Sequence, residues 1–236
     1  MDRYAATLAA VLGTFLILSG IAPFDRTTWL METLPVMIAL PLLLATHRRF
    51  PLTDFLYTLI FLHAVVLIVG GIYTYARVPA GFWVQHALGL ARNPYDRLGH
   101  LMQGFVPALI ARELFIRNGW VRGRAIQAFL CVCVAMFVSS VYELIEWQSA
   151  LFMGQGADEF LGTQGDVWDT QEDMACALLG SLIGTMDDGA GNSQTLSDTD
   201  IAITGADGEG ICGVRSGPTN STQISVKNLQ VEEVWS

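Results

Sequence analysis

The chain has 236 residues, of which 52% are hydrophobic and 15% charged, and its mean hydropathy is +0.44. Soluble domains carry about 25% charged residues, so this composition excludes an ordinary soluble globular protein. The net charge is −9 and no basic patch occurs, which excludes a nucleic-acid-binding surface.

Five apolar blocks come close to the roughly 20 residues that a membrane-spanning helix needs. In chain order they are Ala5–Ile21, Trp29–Thr46, Leu52–Tyr75, Tyr95–Ile116 and Ala125–Trp147. The first follows Arg3 and has the look of a signal peptide. No A-x-A cleavage site follows it, and further spans do, so we read it as an uncleaved helix. Pro35 and Pro41 lie in the second block, where a membrane helix tolerates them as kinks. His63 sits in the middle of the third and reads as an interhelical hydrogen-bond donor, though its depth also suits a proton relay. Residues 78–94 read as a short interfacial helix with Phe82 and Trp83 among headgroups.

The fourth block opens with polar residues. In "YDRLGHLMQG", Asp96, His100 and Gln103 are spaced i, i+4 and i+7 and share one helix face. At 1.5 Å rise per residue, His100 lies about 6 Å below Asp96, and Gln103 about 10 Å below it. Glu113 and Arg112, near the other end of this block, read as an interface pair. The fifth block ends in "YELIEW", with Glu143 and Glu146 on one face. A sixth block, Met174–Met186, has only 13 residues. It spans only if its polar lead-in "GDVWDTQEDM", with Asp166, Asp169 and Asp173, also enters the membrane.

Arginine placement orients this arrangement. Arg3, Arg48, Arg49, Arg112, Arg117, Arg122 and Arg124 fall at one end, against Arg26, Arg77, Arg92 and Arg97 at the other. The bias puts the N-terminus and the connections after the second and fourth blocks in the cytoplasm. Asp96, His100, Glu143, Glu146, Asp166, Asp169, Asp173 and Glu32 then converge near the outer surface.

Two readings compete. His100 with several carboxylates suits a hard or borderline divalent cation such as Zn²⁺, Mn²⁺ or Mg²⁺, which would activate water or hold a phosphate. The catalytic candidates are Asp96, His100, Glu143, Glu146 and Asp169; the metal candidates are His100, Glu143, Asp166, Asp169 and Asp173; Gln103 and Glu32 complete the polar site. Without metal, the acids would serve as acid and base. The plainer reading is interhelical glue, with Asp96–His100 bonded to Glu143 or to a neighbouring backbone and Arg97 paired with Glu146 or Asp169. One or two polar residues suffice for glue, and this group is larger.

The ordered motifs "YDRLGHLMQGFVPALIARE", "YELIEW" and "GDVWDTQEDM" resemble the YjdF-type bacterial inner-membrane proteins and, more distantly, VanZ-like proteins. The resemblance covers about residues 5–185. It implies a helical bundle in the inner membrane and no particular reaction. The VanZ association with glycopeptide resistance implies, by analogy, an envelope lipid or lipid-linked small molecule as substrate. VanZ-like chains tend to carry Asn where Asp173 stands, a departure that touches the ligand set.

From Asp187 the character changes. Residues 1–185 hold 11 Arg against 14 acids, a net −3, while residues 186–236 hold Arg215 and Lys227 against eight acids, a net −6. We read residues 1–186 as the transmembrane bundle and 187–236 as an acidic Gly/Ser/Thr/Asp-rich tail, disordered or loosely β, with a weak hairpin pattern over 223–235. A recombination, frameshift or fusion near 185–187 accounts for the abrupt change; a native soluble tail is the alternative. The four cysteines (131, 133, 176 and 212) read as small apolar residues rather than a disulfide framework.

The expected fold is therefore all-α, a polytopic bundle of about six transmembrane helices. The first functional hypothesis is an outward-facing, metal-dependent enzyme acting on an envelope lipid or lipid-linked substrate. The second is a proton-coupled transporter, against which stand the absence of repeats and the gathering of the polar groups at one end. The third is a structural membrane protein.

Overall fold

The computed structural model describes residues 3–153 and 164–186, all within one compact unit, Met1–Asp187. The readings for the tail, including the hairpin pattern and Cys212, lie outside the described residues. Among the described residues there are seven α-helices and no strand: α1 (Arg3–Ser19), α2 (Arg26–Thr46), α3 (Asp54–Tyr73), α4 (Pro79–Leu88), α5 (Tyr95–Asn118), α6 (Arg124–Met153) and α7 (Asp169–Thr185). A single 3₁₀ turn, Tyr75–Arg77, precedes α4.

The helix ends follow local chemistry. Asp25 caps α2 by accepting from Thr28 N at 2.7 Å, and Thr53 caps α3 through Leu56 N at 3.3 Å. Pro79 opens α4, where its missing N–H costs nothing. Gly119 closes α5 at φ +63°, a left-handed position that glycine adopts without a Cβ penalty.

Three helices, α2, α3 and α6, are long and apolar enough to cross a membrane by length and composition, and α1 is a shorter apolar helix of 17 residues. The expected fourth block is the 24-residue α5, whose polar first turns lower its hydropathy. Pro35, Pro41 and also Pro107 lie inside continuous helices. The short sixth block begins earlier than its apolar run: α7 starts at Asp169, so the acidic lead-in is helical. The predicted interfacial helix is α4, with Trp83 76% exposed. Large apolar side chains, including Ile38, Leu42, Phe129 and Phe137, point outward, as helices bathed in lipid require.

The helices form two packed groups. In one, α1, α2 and α3 enclose Leu12, Val36, Ala64 and Ile68. In the other, α5, α6 and α7 pack together, with Ala108 and Ala111 of α5 against Cys131 and Ala135 of α6. Contacts between α3 and α5 join them. The cysteines at 131, 133 and 176 are free thiols.

The closest approach is between α5 and α7. A Cβ on Gly104 would sit 1.8 Å from the Ala177 carbonyl oxygen, and one on Gly180 would sit 2.0 Å from the Leu101 oxygen. Small residues let two backbones touch, which is how membrane helices associate where no hydrophobic drive exists. This seam sets the register of α7 and holds Asp173 opposite His100.

Each end of the bundle is tied separately. At one end, Phe24 N donates to Ile72 O at 2.9 Å and the Arg77 guanidinium stacks 4.0 Å from the Phe24 ring. At the other, Glu113 accepts from Thr53 N and Oγ1 at 3.0 and 2.8 Å and from Arg117 at 2.7 Å. The expected Glu113–Arg112 pair is thus replaced by Arg117, one turn further along the same helix face.

Candidate functional site

Four helices meet around His100. Its Nδ1 donates to Gln103 Oε1 at 2.9 Å, one turn along α5. Its Nε2 stands 3.5 Å from Asp96 Oδ1 of α5 and 3.8 Å from Asp173 Oδ2 of α7. Glu143 Oε1 of α6 lies 3.6 Å from Nδ1. From α2, Glu32 accepts from the Tyr142 hydroxyl of α6 at 2.9 Å, and the Tyr142 ring meets the His100 ring edge-on at 6.5 Å. Asp96, His100, Glu143 and Asp173 are all buried, Asp173 at 2% exposure.

Among the described residues, two sets of possible ligand atoms lie within 4.8 Å of one another: Asp96, His100 and Asp173, and His100, Glu143 and Glu146. The Gln103 bond discriminates between them. With the Gln103 amide oxygen at Nδ1, Nε2 is the ring nitrogen that faces Asp96 and Asp173. Metal-binding histidines commonly have their second nitrogen fixed by such a carbonyl. Asp173 Oδ1 and Glu143 Oε1 are buried with no hydrogen-bond partner among the described residues. An unpaired buried carboxylate oxygen is costly, so both oxygens are acceptors that a cation or a donor ligand would satisfy.

A second polar layer covers the first. Arg92 bonds Asp169 directly, lies 3.9 Å from Asp166 and 3.7 Å from Glu172, and has its pKa raised: burial works against the charge, and the Asp169 carboxylate outweighs it. Arg97 bonds Glu172 and stands 3.8 Å from Asp166. The expected Arg97 pairing with Glu146 or Asp169 is therefore corrected to Glu172 and Asp166, since α7's first turn, and not α6, faces α5 there. Asp166 and Asp169, both proposed as metal ligands, sit in this arginine-paired layer, outside both sets of converging ligand atoms.

A cavity of about 220 Å³ runs from the His100 cluster into the bundle. Glu32, Asp96, His100, Gln103, Tyr142 and Glu146 line one end, and aliphatic side chains line most of the rest. His63 borders it, and its Nε2 has no hydrogen-bond partner. The reading of His63 as a satisfied interhelical donor is thereby corrected at Nε2, which has no partner among the described residues.

A family model described as "Predicted membrane protein (DUF2238)" matches residues 4–186. The chain belongs to the DUF2238 family. It is 65% identical over 176 residues to "Inner membrane protein YjdF" of Escherichia coli (strain K12), covering 75% of this chain and 84% of that protein. No solved structure matches. The YjdF-type resemblance stands, and the VanZ-like one finds no support among these matches.

In this DUF2238 chain, the sequence reading missed two contributors. Arg92 lies in a connection, and its reach back to Asp169 carries no periodic signal. Tyr142 was legible in principle: it precedes Glu146 by one helical turn, which puts both on the face lining the cavity.

Proposed function

We propose that the acid–His centre holds one divalent cation and acts on the polar end of an envelope lipid or lipid-linked molecule. One observation carries this reading: His100 Nε2, Asp96 and Asp173 converge, and an Asp173 oxygen is buried with no hydrogen-bond donor among the described residues. Interhelical glue would pair its acceptors. The donor set of one imidazole and carboxylates fits Zn²⁺ or Mn²⁺, and Mg²⁺ less closely. A cation there would polarise a phosphate or ester oxygen and activate a water molecule. Glu143, whose Oε1 lies 3.6 Å from the opposite ring nitrogen, Nδ1, is the base that would take up the proton through the imidazole, and Glu146 lies one turn away.

The membrane setting supports a lipid partner, and the relative's name supports the inner membrane. We read the N-terminus as cytoplasmic on the arginine bias, which turns the centre toward the periplasm. Cysteine-accessibility labelling at Arg49 and Leu90, substituted singly to cysteine, tests the orientation: periplasmic reagent should modify the position-90 cysteine and spare the position-49 cysteine. Incubating the purified chain with Mn²⁺ or Zn²⁺ and envelope lipids, with His100→Ala beside it, tests the activity. Metal-dependent lipid turnover lost in the variant supports the reading; identical lipid profiles with and without protein count against it.

We also read residues 187–236 as a foreign or frame-shifted tail. The family match ending at residue 186 supports this. Sequencing the genomic locus tests it, and an uninterrupted frame shared by related loci would oppose it.

A further inference from the structure

Away from the His100 cluster the cavity becomes a slot. Val36, Leu40 and Leu43 of α2, Ile60 of α3, and Val106 and Ile110 of α5 form much of its walls. Glu32 at the polar end and Leu43 at the far end are eleven residues apart on α2, so the slot extends about 16 Å along that helix. Apolar cavities of this kind stay dry and take apolar guests. The slot is thus polar at one end and, but for His63, apolar along its length, which matches the shape and chemistry of one lipid chain with its headgroup.

The way in is sideways. Helix α2 packs on α3 and lightly on α1, whereas α6 packs on α5 and α7. At the level of the cluster, the Tyr142–Glu32 hydrogen bond bridges the seam between α2 and α6. One turn deeper on α6, Val138 lines the cavity and is also 39% exposed. Both helices are long and apolar enough to cross the membrane, so an opening between them faces hydrocarbon, not water.

We propose that a single hydrocarbon chain of a membrane lipid enters between α2 and α6, passes Val138 and lies in this slot, with its polar group at the acid–His cluster. The role of the polar end rests on the proposed function; the slot itself does not depend on a metal.

The test uses the full chain in nanodiscs of phosphatidylethanolamine and phosphatidylglycerol. The probe is a lysophosphatidylglycerol with a diazirine near the end of its one acyl chain. After irradiation, adducts are mapped by peptide mass spectrometry. Adducts should fall on slot residues such as Leu40, Leu43 and Ile60 as well as on lipid-facing Phe129 and Phe137. Ala64→Trp, which fills the slot, and Val138→Trp, which plugs the opening from an exposed position and so spares the core, should both abolish the slot adducts and leave those at Phe129 and Phe137. Slot residues that stay unlabelled, or that label equally in wild type and both variants, overturn the proposal. Metal content measured on the same samples keeps the two ideas apart. Slot labelling without bound metal defeats the cation reading alone, and bound metal without slot labelling defeats the chain slot alone.

Discussion

Gly104 of α5 lies so close to Ala177 of α7 that a Cβ added to it would sit 1.8 Å from the Ala177 carbonyl oxygen. Neither backbone can retreat without pulling Asp173 away from His100. Gly104→Val should therefore lower the thermal midpoint in detergent by an amount equivalent to overpacking, roughly 1–3 kcal/mol. Gly13→Ala is the matched control. Its new methyl would meet only Leu40 Cδ2, at 3.8 Å, and alanine is the better helix former. Equal midpoints for the two variants would contradict the close α5–α7 seam.

Glu113 gathers the opposite end of the bundle by accepting from Thr53 N, Thr53 Oγ1 and Arg117. Hydrogen bonds to a charged group contribute about 1.5–3 kcal/mol when well shielded, and this site is partly exposed, so the lower end of that range applies. Glu113→Ala should lower the thermal midpoint, whereas Arg112→Ala should leave it nearly unchanged. The reverse order would restore the pairing expected from sequence.

Asp25 caps α2 from outside the membrane, and its pKa is lowered from 3.8, chiefly by the hydrogen bond from the Thr28 backbone. A carboxyl whose folded pKa is depressed stabilises fully above its unfolded pKa and loses that contribution as pH falls through the folded value. Asp25→Ala should cost roughly 0.5–2 kcal/mol at pH 7. The gap between wild type and variant should narrow as the pH drops below 3.8. A gap independent of pH would mean that the Asp25 charge plays no part. Unfolding curves in detergent at several pH values measure it.

The sequence carried the helices well, because five apolar blocks near spanning length leave little alternative. It also carried the face of α5, since Asp96, His100 and Gln103 follow helical spacing and emerge on one side. What it could not carry was the partition of the acids. Asp166, Asp169 and Asp173 look equivalent in "GDVWDTQEDM", yet Arg92 and Arg97 pull the first two outward and leave only Asp173 beside His100. That choice depends on a connection meeting a partner 77 residues away in sequence, which no local pattern encodes. The Glu113 partner was missed for a related reason: adjacent residues on a helix do not face each other, whereas i, i+4 neighbours do.

The central claim is that Asp96, His100 and Asp173 form a cation centre, and elemental analysis of the purified chain tests it most directly. Protein extracted in mild detergent and dialysed against trace Mn²⁺ or Zn²⁺ should retain the ion stoichiometrically. His100→Ala and Asp173→Asn should lose it, while Asp166→Asn, in the arginine-paired layer, should keep it. Wild type that retains no ion above the buffer background, or retention unchanged in His100→Ala and Asp173→Asn, would contradict the account.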